Sequence, residues 1–302
     1  MTEPAEKRIF IVRNPASGAQ HAPAIRDMLV QALAAAGWRY AVHDTARGEV
    51  VADAVRQARQ AGYTTFVAIG GDGTVAAVAA GLVDSPCHLA IVPAGTGNVL
   101  ARALGIGKDP RRAIEILLGR HAVRHLDAIQ IGERIYLLAV SAGLSSLVIA
   151  RSEHQPKRLL GRLAYGTAAV PHFLRMTQYR YTLDIDGQTY PVRAADVMVV
   201  NTSATGYAGI HWGPGIEPDD GELGVCIFRT RTPLHYSRLI LRALRNDHLK
   251  DGDMQLIPAR RRITITADPP VPVEADGELL GMTPVQATVI PHTVTIIVPP
   301  AS

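Results

Sequence analysis

An aspartate stands among three glycines at positions 70–74, which read Gly-Gly-Asp-Gly-Thr. Glycines spaced this closely weaken both strands and helices, so another property of glycine must be in use here. Without Cβ atoms, main-chain N–H groups can approach a phosphate, and the N-terminus of a following helix adds partial positive charge. Asp72 would repel a bare phosphate, but it fits if Mg²⁺ lies between them or if it accepts a hydroxyl proton. Because a carboxylate in such a loop has little structural purpose, Asp72 is the strongest candidate for chemistry.

Two further loops of small residues follow predicted strands. The segment PAGTGN at 93–98 follows the apolar run at 88–92, and NPASG at 14–18 follows the run at 8–12. Open α/β sheets bind ligands at the carboxyl ends of their strands. Each loop alone is compatible with a plain strand-to-helix turn, but three of them in one half of the chain predict one nucleotide cleft.

The first half of the chain alternates predicted strands with predicted helices. Helices are predicted by periodicity and glycine stops at 24–37, 49–62, 74–82, about 98–104 and 109–119. The apolar runs between them are typical of strands. This order predicts a doubly wound parallel sheet, covered by helices on both faces, in a nucleotide-binding α/β domain over residues 1–122.

The remaining residues, 123–302, are predicted to form a mostly antiparallel β-sandwich or partial barrel. Asp-Gly pairs at 186–187 and 276–277 lie between alternating polar and apolar residues, the pattern of tight β-hairpins. The uncharged run 135–150 is too short for a membrane span and is interpreted as buried strands with a turn. Two helices are predicted among these strands, at 157–170 and 233–246.

Composition is that of a globular, mildly basic protein. Hydrophobic residues make up 47% of the chain and charged residues 19%, which allows a substantial core and excludes a disordered chain. The net charge of +4 is compatible with an anionic partner such as a nucleotide, a phosphate or an acidic membrane. Cys87 and Cys226 lie far apart without metal-binding spacing, and the N-terminal residues lack the apolar core of a signal peptide. A cytoplasmic protein is therefore expected.

The segments NPASG, GGDGTV and PAGTGN, in this order and spacing, resemble the catalytic domain of diacylglycerol kinases and of their relatives, the sphingosine, ceramide and bacterial lipid kinases. The resemblance extends over nearly the whole chain, through KRLLGRLAYG at 157–166, PDDGELGV at 218–225 and DGELL at 276–280. GGDGT alone is shared with NAD kinases and phosphofructokinases. The resemblance implies an NAD-kinase-like α/β domain followed by a β-sandwich that receives the lipid.

Members of this family transfer the γ-phosphoryl group of ATP to a lipid hydroxyl with Mg²⁺. The resemblance implies that the nucleotide is contacted by Asn14, Thr45, Gly71, Gly73, Thr74, Gly95, Thr96 and Asn98. It places Asp72 beside the phosphates, as a metal ligand or proton acceptor, and it implies two further acids, Glu278 and Asp127, near the lipid hydroxyl. It also implies a structural Mg²⁺ near Asp220. The resemblance leaves open which acid is the general base.

Two features weigh against a simple transfer of these roles. Glu278 follows an Asp-Gly turn, where a solvated glutamate is ordinary, and the similar turn at 186–187 is followed by Gln188. After GGDGTV the family has Asn-Glu, whereas Ala76 and Ala77 stand here. This departure suggests a weakened kinase or a changed orientation of the substrate.

Three functions therefore compete. The first is an ATP-dependent lipid kinase acting on diacylglycerol or a related lipid. The second is an NAD-kinase-like phosphotransferase acting on a soluble hydroxyl, although the chain lacks the Asn-Glu dipeptide with which NAD kinases meet the ribose. The third is a catalytically weak regulator that binds nucleotide or lipid. A dehydrogenase is disfavoured because no G-x-G-x-x-G follows the first strand, and nucleic-acid binding is not expected.

A basic, leucine-rich segment at 237–250 suggests contact with an anionic membrane. The cations Arg238, Arg242, Arg245 and Lys250 accompany an apolar stripe formed by Leu239, Ile240, Leu241 and Leu244. Four or five such cations suffice for reversible docking, at about 1 kcal/mol each. The alternative is a helix that packs on the sheet with a solvated basic face. The sequence predicts peripheral membrane association and is compatible with a homodimer, but it does not fix the oligomeric state.

Overall fold

The computed structural model describes residues 8–17, 22–153, 177–205, 210–245, 247–250 and 252–300. The chain divides into two compact units. The first contains residues up to Leu126 together with those from His292 onward, and the second runs from Asp127 to Pro291. The predicted division, 1–122 and 123–302, differs from these units mainly in the C-terminal segment, which belongs to the first unit.

The sheet of the first unit is parallel. Its strands are β1 (Arg8–Arg13), β2 (Arg39–Asp44), β3 (Thr65–Gly70), β4 (His88–Pro93) and the last part of β16 (Val285–Val298). They are ordered β2-β1-β3-β4-β16, and Thr295 of β16 lies opposite His88. Thr293 also donates a hydrogen bond to Asp84, from Oγ1 to Oδ1 over 2.8 Å. These contacts are the physical reason why the C-terminal strand belongs to the first unit.

Helices cover both faces of this sheet, as the sequence predicts. They are α1 (Ala22–Ala35), α2 (Val51–Gln60), α3 (Asp72–Ala79), α4 (Val99–Ala103) and α5 (Pro110–Leu118). Helix α1 contacts α5 and helix α2 contacts α3, which gives one pair of helices for each face. The carboxyl ends of β1, β3 and β4 are left to the three loops of small residues.

The second unit is built from antiparallel sheets. Its further elements are β5 (Ala122–Ile131), β6 (Arg134–Tyr136), β7 (Ala139–Gly143), α6 (Leu144–Glu153), β8 (Tyr179–Ile185), β9 (Gln188–Ala194), β10 (Asp196–Val200), β11 (Leu223–Phe228), α7 (Pro233–Ala243), β12 (Met254–Ala259), β13 (Arg262–Asp268), β14 (Pro272–Ala275) and β15 (Glu278–Met282). One sheet has the order β12-β11-β10-β7-β14-β15, and the other contains β16-β13-β8-β9. The predicted β-sandwich is confirmed.

Strands β10 and β11 are buried on both faces, which explains their nearly continuous apolar sequences. Val197 and Val225 face a core shared with strands of the other sheet, whereas Met198 and Cys226 face a second cluster. Leu239 of α7 packs in that second cluster. Alternate side chains of one strand therefore stabilise two different layers.

The run 135–150 is only partly as predicted. It contains the end of β6 and strand β7, as predicted, but from Leu144 onward the chain is helix α6 and not a further strand. The main-chain N–H of Ser145 donates to Asp196 Oδ2 over 3.0 Å, which satisfies one of the free N–H groups in the first turn of the helix. An apolar run alone cannot distinguish a buried strand from a buried helix. The helix predicted at 157–170 lies outside the described residues.

Helix α7 confirms a helix in the predicted segment 233–246, but it ends at Ala243. None of the helices in the described ranges is long and apolar enough to cross a bilayer. Both cysteines, Cys87 and Cys226, are buried and free, as expected for core thiols.

Candidate active site

The three loops of small residues lie together in the first unit. A Cβ atom placed on Gly95 would lie 2.5 Å from the Cα of Gly71, so the loops after β3 and β4 touch back to back. A Cβ atom placed on Gly71 would lie 3.6 Å from Oγ of Ser17, which belongs to the loop after β1. The convergence expected from the sequence is therefore present.

The glycines of these loops serve different purposes. A Cβ atom on Gly70 would lie 2.3 Å from Oγ1 of Thr74, so a side chain there would clash. A side chain on Gly95 would likewise clash with the backbone of Gly71. Gly73 is different, because a Cβ atom there would meet nothing within 4 Å and its φ is not in the left-handed region. Neither packing nor backbone conformation requires glycine at position 73. The space beside it is open for a ligand.

The first turn of α3 supplies hydrogen-bond donors next to this space. The N–H groups of Thr74 and Val75 donate to the carbonyl of Gly71, over 3.0 and 3.1 Å. For the N–H groups of Gly71, Asp72 and Gly73, the described part of the chain offers no acceptor. Free N–H groups at a helix N-terminus bind anions well, because the helix dipole adds to their hydrogen bonds.

Asp72 has a structural purpose that the sequence did not reveal. Its Oδ2 accepts the N–H of Val99 and its Oδ1 accepts the N–H of Leu100, each over 3.0 Å. The carboxylate thereby caps α4 from the neighbouring loop, and two donors partly compensate its charge. The argument that this carboxylate lacks a structural purpose was wrong. Its proposed part in metal binding or proton transfer stays a prediction, since each carboxylate oxygen keeps a further lone pair.

Asn98 holds the shape of the loop after β4. It is buried, with a left-handed φ of 47° that asparagine tolerates. Its Oδ1 accepts the N–H of Gly95 over 3.1 Å, and its Nδ2 donates to the carbonyl of Gly95 over 2.8 Å. The amide is thus used within the loop, whereas Thr96 is exposed at the loop tip. The structure leaves Thr96 the more accessible of the two residues.

The remaining predicted nucleotide contacts lie around the same strand ends. Asn14 closes its own turn, since its Oδ1 accepts the N–H of Ala16 over 2.9 Å. Thr45, at the end of β2, donates its N–H to the carbonyl of Arg13 over 2.9 Å. Thr74 is buried under Gly70.

In the second unit, an acidic loop at 217–222 contains Asp220 and is contacted by Asp127 of β5. Asp127 is completely buried, and its Oδ2 accepts the N–H of Gly221 over 2.7 Å. Asp220 is exposed and accepts the N–H groups of Glu222 and Glu217, over 2.9 and 3.2 Å. Among the described residues, no group of three or more His, Cys, Asp or Glu side chains is arranged to hold a metal. Asp220 as a metal ligand stays a prediction.

Glu278 lies at the start of β15, directly after the second Asp-Gly turn. Its side chain is 64% exposed and pairs with Arg134, with Oε2 and Nη1 3.2 Å apart. Unlike Asp72, Asp127 and Asp220, it accepts no main-chain N–H in the described ranges. It is the predicted acid whose carboxylate is least used by the fold.

The second unit contains a cavity of about 620 Å³. Pro214, Leu249, Met254 and Leu256 give it apolar walls, and Arg229 contributes a cation. Pro214 lies in the glycine-rich loop at 209–215, whose first residue is outside the described ranges.

Family models match nearly the whole chain in two parts. Residues 8–131 match the diacylglycerol kinase catalytic domain, and residues 138–298 match the YegS C-terminal NAD kinase beta sandwich-like domain. The chain belongs to the diacylglycerol kinase family. The resemblance seen in the sequence is confirmed, and so is the two-part fold class.

This family member is similar to curated proteins, one of which is named a lipid kinase. The chain is 29% identical to a protein named "Putative lipid kinase" from Staphylococcus aureus strain MSSA476. The matched 241 residues cover 76% of this chain and 75% of the relative. The chain is 25% identical over 265 residues to an uncharacterized protein of Synechocystis, with 85% of this chain covered. The chain spans 61% of the length of that cyanobacterial relative.

Solved structures show the same fold. A structure described as a "putative diacylglycerol kinase" from Bacillus anthracis strain Sterne has a TM-score of 0.78 and 26% identity, with 98% of both chains covered. A second such structure from this strain has a TM-score of 0.75 and 25% identity, with 97% of both chains covered.

Two buried carboxylates of this family member, Asp196 and Glu274, were not predicted from the sequence. Burial raises the pKa of Asp196 to about 7, although the hydroxyl and N–H of Ser145 both donate to it. Burial also raises the pKa of Glu274, which accepts the hydroxyl of Ser141 and the N–H of Gly277, each over 2.9 Å. Glu274 thereby fixes the turn that precedes Glu278. Each carboxylate is recognised by its long-range partner, and no sequence pattern marks it.

Proposed function

We propose that this protein is an ATP-dependent kinase that transfers a phosphoryl group to a hydroxyl of a lipid such as diacylglycerol. The observation that carries the proposal is the open space at Gly73, beside the free N–H groups of Gly71, Asp72 and Gly73. Gly73 has no role in packing or backbone conformation, so a close-lying ligand is the physical reason for its lack of a side chain. A phosphate chain suits the donors and the helix dipole.

The charge of Asp72 does not argue against a phosphate at this place. Its carboxylate is held by the N–H groups of Val99 and Leu100, which partly offset its charge. We propose that Asn14, Thr45 and Thr96 complete the nucleotide site, and that Asn98 acts by shaping the loop that carries Thr96.

Oxygen ligands of the kind that Mg²⁺ prefers are present in both units. Asp72 is the proposed ligand of a Mg²⁺ at the phosphates and Asp220 of a separate, structural Mg²⁺, because carboxylate oxygens suit a hard cation. When bound, Mg²⁺ would neutralise charge on the phosphate oxygens.

Glu278 is our candidate for accepting the proton of the lipid hydroxyl. Its carboxylate is exposed and pairs with the cation Arg134 at the surface, so it is chemically available. For Asp127 we propose a positioning part, since its buried carboxylate holds the acidic loop at Gly221.

A Gly73→Ala variant tests the nucleotide site. The added Cβ atom meets no protein atom, and alanine raises helix stability by up to about 1 kcal/mol, so the fold should be kept or stabilised. We expect ATP affinity to fall by about tenfold or more, because the methyl group occupies the space of the ligand. Calorimetric binding and thermal unfolding would measure the two effects.

Gly95→Ala is the matched control. Its Cβ atom would lie 2.5 Å from the Cα of Gly71, so weaker binding should come together with a lower melting temperature. Unchanged ATP affinity and turnover in a folded Gly73→Ala variant would remove the phosphate site from this loop.

Asp72→Asn tests the chemistry at the same loop. We expect transfer to be lost, but the fold should also lose about 1 kcal/mol, because the amide NH₂ would face an N–H donor of α4. A loss of activity therefore counts only in variant protein that is fully folded at the assay temperature. Retained turnover would exclude Asp72 from the reaction.

The weak-regulator alternative has a specific observation in its favour, the alanines at 76 and 77. Both are half-buried on α3, in the turn that follows the candidate phosphate site. Turnover with radiolabelled ATP should be measured against diacylglycerol, ceramide, a sphingoid base and NAD. Transfer to a lipid supports the proposal, transfer to NAD alone supports the NAD-kinase-like alternative, and ATP binding without transfer supports the regulator. An Ala76→Asn/Ala77→Glu variant that gains turnover would assign the weakness to these positions.

A further inference from the structure

We propose that the exposed face of α7 docks on the surface of an anionic lipid bilayer. This face, here the leucine–arginine face, consists of Leu234, Arg238, Leu241, Leu244 and Arg245. The first three lie on α7 and the last two in the turn that follows it. The spacing of Leu234, Arg238 and Leu241 places these three on one side of α7. The inference rests on the proposed lipid-kinase function, for which it names the surface that meets the membrane.

The leucines of this face are unusually accessible. Leu234 is 77% exposed, Leu241 59% and Leu244 51%. The other large apolar side chains exposed in the described ranges are Tyr40, Val42, Val50, Val123 and Met282. Single exposed apolar side chains are ordinary, but three exposed leucines within eleven positions of α7 and the turn after it form a patch that indicates an interaction surface.

The core fixes which side of α7 faces outward. Leu239 is 5% exposed and Ala243 7% exposed, and Leu239 packs with Phe228 and Met254. Leu239 therefore does not belong to the membrane stripe predicted from the sequence, and Leu234 takes a place in it. Since α7 is held from behind, these leucines are left uncovered by the described residues of the chain.

Charge decides between the occupants of this surface. Between Arg231 and Arg245 the chain has four arginines and no Asp or Glu. Asp253 pairs with Arg238, with Oδ2 and Nη2 3.2 Å apart, and offsets part of this positive charge. A second copy docking face to face would bring like charges together, which is unfavourable. Anionic headgroups attract the arginines while the leucines enter the boundary with the acyl chains, which is how interfacial helices bind.

Vesicle flotation tests this docking without ATP or acceptor lipid. The wild-type protein should float with phosphatidylcholine vesicles containing about 30 mol% phosphatidylglycerol and stay behind with phosphatidylcholine alone. A Leu234→Ser/Leu241→Ser variant should lose about tenfold or more in partitioning, because two leucines no longer leave water. Arg245→Gln should lose about fivefold, and raising salt from about 0.1 to 0.5 M should weaken binding of the wild type.

Val50→Ser/Val123→Ser is the matched control. These valines are 62% and 40% exposed, and α7 and the turn after it contain neither, so the control should float like the wild type. All variants should keep their melting temperature, because the replaced side chains are exposed.

Three results would overturn the proposal. One is a wild-type protein that does not float with anionic vesicles. Another is a leucine variant that floats as well as the wild type. The third is a leucine variant that turns from dimer to monomer with its flotation unchanged, which would assign the face to a second copy. A failure of the kinase proposal is distinguishable, because the vesicles contain no substrate. A dissolved short-chain diacylglycerol should be phosphorylated equally by the wild type and the leucine variant if only docking is lost.

Discussion

The two Asp-Gly hairpins of the second unit share one construction. Asp186 and Gly187 join β8 to β9 with φ of 53° and 90°, and Asp276 and Gly277 join β14 to β15 with φ of 46° and 88°. Left-handed conformations at both central positions are those of a tight hairpin turn.

In both hairpins the aspartate also fastens a distant segment. The carboxylate of Asp186 accepts the N–H groups of residues 260–262, over 2.7 to 2.9 Å. That of Asp276 accepts the N–H groups of residues 137–139, over 2.9 to 3.1 Å. Such a carboxylate satisfies three main-chain donors at once, so both aspartates have a structural role.

The hairpins differ in the residue after glycine. Gln188 accepts the hydroxyl of Tyr190, two positions along the same strand, over 2.7 Å. Glu278 instead carries a charge toward solvent and pairs with Arg134 of another hairpin. The two turns have the same geometry but carry different side chains after the glycine. Gln188 therefore serves as an internal control for Glu278.

Replacing the residue after the glycine should have the largest effect on turnover, and only in the hairpin that carries Glu278. Glu278→Gln should lower lipid phosphorylation by about 100-fold or more, because a general base contributes that much. Gln188→Glu should change turnover by less than about twofold. Rates with saturating ATP would measure both, and equal effects of the two substitutions would break the distinction between the hairpins.

Removing either aspartate should come next, as a loss of stability. Asp276→Ala and Asp186→Ala each leave three main-chain N–H groups without their acceptor, and we expect about 2–4 kcal/mol of lost unfolding free energy. Urea unfolding would measure it. In folded protein, Asp276→Ala should also lower turnover, because Glu278 sits on the same turn, whereas Asp186→Ala should leave turnover unchanged. A loss of turnover in both would attribute it to instability alone.

The smallest effect should be the pH dependence contributed by Asp186. Burial would raise the pKa of this carboxyl, but the N–H groups of Arg260, Arg262 and Arg261 outweigh it, so its pKa lies below the ordinary value. Because the folded pKa is below the unfolded one, the stabilisation is present above about pH 4 and is lost as the pH falls through the folded value. Asp186→Asn should flatten unfolding free energy against pH in this acid range. A slope equal to that of the wild type would contradict the assignment.

Local patterns were sufficient for much of the fold. The periodicity of α2 and α5, the glycine stops and both hairpins depend on neighbouring residues, so they could be predicted from the sequence. The site was partly predictable for the same reason, since glycine loops after β1, β3 and β4 must meet at one edge of a parallel sheet.

Roles set by distant partners could not be predicted. Asp72 was a candidate for chemistry alone, but its partners Val99 and Leu100 are 27 and 28 residues away. The C-terminal strand joins the first unit because Thr295 meets His88, and α6 begins where Asp196 accepts Ser145.

The sequence by itself determined the alternation of strands and helices in the first unit, the glycine loops and the family, because these follow from residue order over short distances. The tertiary structure decided which carboxylates are used by the fold and which are left for chemistry, and which leucines of α7 face outward. Hydrogen-bond partners and burial depend on segments brought together from far apart in the chain, and no local pattern contains that information.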